Sequence, residues 1–164
     1  MRIMMLTALL VATASPVLAQ DRMIDIGKPE TVVQVLQEEG YKAALKKHDD
    51  GSAYIESGAN GATFTVEFHD CTAEKGCTSA QFFAWYKKKP WFTPELANRW
   101  NAKMRFIKAA IDKDGDLSTY MDVSTVGKTT YAHFADTIDW WSSLSGDVFK
   151  FLNEEEAKAA KPAP

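Results

Sequence analysis

Apolar and polar positions alternate with a period of two through the middle of the chain and with helical steps towards its ends. In 63–69 Phe64, Val66 and Phe68 share one face, and Thr63, Thr65 and Glu67 share the other, which is the signature of a strand. After a short polar loop the alternation resumes at Ser79 and runs to Lys87, with Phe82, Ala84 and Tyr86 opposite Gln81, Phe83 and Trp85. Aromatic residues on both faces predict a central strand covered on each side. Two earlier strands are expected over Tyr41–Lys47 and Ser52–Ser57, separated by His48-Asp49-Asp50-Gly51 and closed by Gly58-Ala59-Asn60-Gly61. Two later ones are expected over Arg105–Lys113 and Leu117–Ser124, on either side of Asp114-Gly115-Asp116.

Helical steps frame these strands. Pro29 and Glu30 suit a first turn, Val32, Val33 and Leu36 form one face, and Gly40 is a natural stop, so a helix is predicted over Glu30–Glu39. Thr93-Pro94-Glu95 supplies a cap, a proline and an acid for a second helix over Pro94–Lys103. The longest stripe is Phe134, Ile138, Trp141, Leu144, Val148 and Leu152, within a helix over Thr130–Asn153. The order is α-β-β-β-β-α-β-β-α. It predicts an α+β domain, an antiparallel sheet of about five to six strands flanked by helices. The charged, alanine-rich end, 153–164, is expected to be disordered.

The first nineteen residues change the picture of where the chain works. Arg2, an apolar run from Ile3 to Ala14, the Ser15-Pro16 break and Val17-Leu18-Ala19 read as a signal peptide cleaved near Ala19. A periplasmic or secreted protein follows, without a membrane anchor. In an oxidising compartment Cys71 and Cys77, the only cysteines, are most simply a disulfide. A C-x-x-C redox motif and two further zinc ligands are both missing from the sequence around them.

Composition narrows the function classes further. A net charge of −3 argues against nucleic acid as a partner. Asp112 to Asp116 alternates carboxylates as a calcium loop does, but its glycine falls fourth and no glutamate stands twelfth, so a turn between strands is expected. His48, His69 and His133 are scattered, and no nucleophile motif or phosphate loop occurs. Neither a catalytic set, a metal site nor a cofactor is therefore predicted; Glu67 and Asp70 are read as a strand face and a turn rather than an acid–base pair. Five tryptophans remain as the function-bearing feature. Trp85, Trp91, Phe92 and Trp140 are the candidate partner-binding residues, suited to a protein partner or a dimer contact if exposed together.

Several segments together carry a resemblance to a known family. GKPETVVQVLQEEGY, FHDC with CTSAQFF, and NRWNAKMRFIKAAIDKDGDLSTYMDVS resemble the YbjN family, labelled as sensory transduction regulators of bacteria. The resemblance spans 27–152 and centres on Cys71 and Cys77 with Thr78, Ser79, Gln81 and Phe82, and on Asn98 to Asn101 running into Arg105 and Phe106. It implies a fold similar to the type III secretion chaperones, which leaves a homodimer open, and it brings no catalytic residues. The function expected is a non-enzymatic exported domain that binds a protein or peptide. The alternative is a small-ligand or metal-ion binding module.

Overall fold

The structure, a computed structural model, describes residues 22–73 and 76–161. The expected signal peptide lies outside them. Eleven elements follow in order: β1 (Met23–Ile24), α1 (Pro29–Glu38), β2 (Ala43–Lys47), β3 (Ala53–Ala59), β4 (Ala62–His69), β5 (Ser79–Tyr86), α2 (Pro94–Lys103), β6 (Lys108–Ile111), β7 (Leu117–Ser124), β8 (Thr129–Thr130) and α3 (Tyr131–Ala159). Strands β2 to β7 form one antiparallel sheet in the order β2-β3-β4-β5-β7-β6. The fold is α+β, as expected. A second sheet of two strands pairs β1 with β8, which the sequence does not announce, because two residues carry no period.

Local chemistry sets the helix ends. Pro29 opens α1, and the left-handed Gly40 at φ +87° closes it. The hydroxyl of Thr93 accepts from the Leu96 amide at the start of α2, and that of Thr130 from the His133 amide at the start of α3. The third helix runs to Ala159, so the segment expected to be disordered from Asn153 is instead helical that far. Its Glu, Ala and Lys are strong helix formers, and Glu155 pairs with Arg99 on α2 and with Lys158 one turn on, both cations holding its carboxyl below the usual range.

The core lies on one side of the main sheet. Ile55 and Ser57, then Phe64, Val66 and Phe68, then Ala80, Phe82 and Ala84, then Leu117, Thr119 and Met121 are buried, while their alternates are half-buried or exposed. Five of the six stripe positions of α3 are buried against that face, with Leu144 half-buried. Trp141 sits 5.6 Å from both Phe64 and Phe82, ring centre to ring centre. The first helix packs over β2 and β3, and α2 over β6 and against α3 through Trp100 and Phe151. All three helices therefore share one face. The expectation that β5 is covered on each side is corrected: Gln81, Phe83 and Trp85 look away from all three described helices.

Side chains of the helices also reach the sheet's outer strands. On β6 the Asn101 amide of α2 accepts from the Ala109 N–H and donates to the Ala109 carbonyl, both at 2.9 Å. On β2 the Gln37 amide of α1 donates to the Ala43 carbonyl, and Lys46 and Lys47 end the strand.

Cys71 and Cys77 are joined in a disulfide at the end of the β4–β5 hairpin. The loop it closes meets the N-terminal arm backbone to backbone. The Cys77 amide donates to the Gly27 carbonyl at 2.9 Å, and a Cβ on Gly76, which sits at φ +73°, would fall 2.7 Å from that same oxygen. Only glycine fits there. The clamp thus ties the arm, the hairpin and, through the Thr125 amide on the Thr78 carbonyl, the end of β7.

Candidate functional site: an open sheet face

The face that no described helix covers is built from the alternate positions of six strands. One cross-strand row reads Glu56, Thr65, Phe83, Tyr120 and Lys108, each paired with the next. A second reads Lys46, Tyr54, Glu67, Gln81 and Asp122. In a third, Trp85 lies opposite Ser118, which lies opposite Ala110. Small neighbours leave the indole uncovered, and Trp85 is 53% exposed. Phe83, Tyr120 and Tyr54 are half-buried against the pleat. The centre of the face is aromatic and its margin polar, the arrangement found in protein contact surfaces.

Polar contacts hold the margin in place. The Gln81 amide donates to the Asp122 carboxylate at 2.8 Å. His48 stacks on Tyr54 with ring centres 4.3 Å apart, and its Nε2 lies 2.7 Å from Glu67. The hydrogen bond to Glu67 raises the His48 pKa above its ordinary value. Asp50 in the adjoining turn is held low by the Ser52 hydroxyl and amide.

The four residues predicted to bind a partner do not meet. Trp85 alone lies on the open face. Trp91 and Phe92 pack edge to face at 4.6 Å in the loop before α2 and rest half-buried against the core. Trp140 lies on the helical side, its ring tilted against that of Phe106 with centres 4.4 Å apart, and each residue is 42% exposed. Phe106 adopts φ +64°, a left-handed conformation that costs a non-glycine residue about 1–2 kcal/mol. The contact with Trp140 contributes about 0.5–1.5 kcal/mol beyond the area it buries, set against that strain.

Phe83 and Tyr120 belong to the open face, yet sequence reasoning did not single them out. Their alternation was readable; the side on which the helices would settle was not. Asp112 accepts from the Asp114 and Asp116 amides, so the carboxylate run is a turn between β6 and β7. Among the described residues no group of three or more histidine, cysteine, aspartate or glutamate side chains is close enough to hold a metal ion.

The model of one protein family, described as "Putative bacterial sensory transduction regulator", matches residues 28–154. The chain belongs to the YbjN family. No curated protein and no solved structure matches the chain significantly. The YbjN match opens at the residue before α1 and ends inside α3, so it takes in the whole six-stranded sheet and leaves β1 outside. The open face is therefore part of the YbjN domain itself.

Proposed function

We propose that this YbjN domain is a non-enzymatic interaction module, exported to the periplasm, that receives a protein or peptide partner on its open sheet face. The observation that carries the reading is Trp85, more than half exposed near the end of β5 on the face where Phe83 and Tyr120 also lie. Burying such rings is the largest gain in free energy that a face of this composition offers a partner. A regulator-type family description is compatible with protein binding.

A photo-crosslinking amino acid placed at position 85 or 120 in cells should give one discrete adduct, and the same group at Ala102, exposed on α2, should give none. Absence of any adduct at 85 and 120, with a monomeric sedimentation profile, would overturn the reading. Export is tested apart from binding. The intact mass of protein from a periplasmic fraction should correspond to a chain beginning at Gln20, and a full-length mass would overturn the export assignment.

A further inference from the structure

On the helical side, away from Trp85, a groove of about 390 Å³ runs between the end of α2 and the first half of α3. Its apolar lining is Met104, Phe106, Trp140 and Leu144, and its charges are Lys103 and Arg105. We propose that this groove is a second recognition site, for a peptide segment that carries a bulky apolar side chain beside a carboxylate.

Three observations converge on that ligand. Among the described residues no carboxylate lies within ion-pair distance of Lys103 or Arg105, so both charges beside the groove are available to a ligand. In a chain of net charge −3, two free cations flanking an apolar groove select an acidic ligand. Lys103 also complements the C-terminus of α2, but Arg105 lies beyond the helix and rests its guanidinium 5.1 Å over the Phe106 ring. That contact leaves the fork free to meet a carboxylate. The second observation is Phe106. Its backbone is left-handed, and 42% of the residue stays exposed beside the groove although it packs on Trp140. That exposed ring is apolar surface for a docked side chain to cover.

The third observation is length. Past Met104 the groove continues along α3 for about 270 Å³ more, over Trp100 and Phe151, where Asp147, Lys150 and Glu154 also line it. An extended segment of several residues fits, and the acids at the far end orient it. Its carboxylate lies at the Arg105 end. The net negative charge and the concave shape disfavour a nucleic acid or an anionic membrane.

The site stands apart from the sheet face, and its failure would leave that reading untouched. The test uses the full mature chain and an array of heptapeptides with leucine, phenylalanine or tryptophan at the centre, flanked by aspartate or glutamate, by serine, or by lysine. Acidic peptides should bind saturably and at least tenfold more tightly than their lysine counterparts. Arg105→Glu and Trp140→Ala should each weaken them tenfold or more, and Phe149→Ser, an exposed aromatic elsewhere on α3, should not. Phe106→Gly is the discriminating variant: it should keep the native circular dichroism and still lose binding tenfold. Loss of the native circular dichroism in Phe106→Gly would make the residue structural and overturn the proposal. Equal binding of acidic and lysine peptides, no saturable binding, or tighter binding to oligothymidine or anionic vesicles would overturn it as well.

Discussion

Strand β5 carries two populations of side chain that differ in everything but position. Ala80, Phe82 and Ala84 face the helices and are buried, with Phe82 closed in by Trp141, Phe64 and Phe134. Gln81, Phe83 and Trp85 alternate with them and face away from the described helices. The same backbone thus serves packing on one side and exposure on the other. Aromatic content alone does not separate the two. Phenylalanine and tryptophan appear on both faces, and their energetic weight depends on what lies opposite.

That contrast can be broken by substitution, and the largest effect belongs to the covered side. Phe82→Ala removes a ring from a fully buried aromatic cluster and should lower stability by about 3–5 kcal/mol, read from denaturant unfolding. Opening the clamp comes next. Cys71→Ser with Cys77→Ser should cost about 2–2.5 kcal/mol in the chain-entropy model for a loop of about seven residues, with the native circular dichroism retained. Two reactive thiols in the native protein would contradict the bond itself. On the open side, Trp85→Ser should change stability by less than about 1 kcal/mol while abolishing the crosslink to a partner. If Trp85→Ser unfolded the protein as Phe82→Ala does, the two faces would not differ in kind.

The smallest expected effect concerns protons. Glu67 raises the His48 pKa, so the bridge stabilises the protein fully below the unfolded-state value of about 6.5. That contribution is lost as pH rises through the higher folded-state value. Glu67→Gln should move the His48 midpoint down towards about 6.5 in an NMR titration. An unchanged midpoint would show that the contact does not persist in solution.

Much of the architecture is legible in the sequence, because its signals are local. The Asp50-Gly51 and Asn60-Gly61 turns, the alternation of β4 and the stripe from Phe134 to Leu152 each lie within one element and its neighbours. What is not legible depends on distant partners. Nothing near β5 says that three helices all settle on one side. One tie on the last turns of α3 comes from Arg99, 56 positions away from Glu155 in sequence. The left-handed backbone of Phe106 is hidden by a side chain that ordinarily avoids it. For the candidate site this means that Trp85 could be read as a partner-binding residue, but its separation from Trp91, Phe92 and Trp140 could not.

The Asn101 amide on Ala109 and the Gln37 amide on Ala43 have a consequence beyond the helices they anchor. A β-sheet with bare edges recruits strands from other molecules and grows sideways into aggregates. Here a side-chain amide occupies the Ala109 hydrogen-bonding pair at one border, in place of a seventh strand. At the other border an amide takes one carbonyl, and the adjacent lysines repel a neighbour. An aromatic sheet face can therefore stand open while the borders on either side of it resist pairing with other copies of the chain.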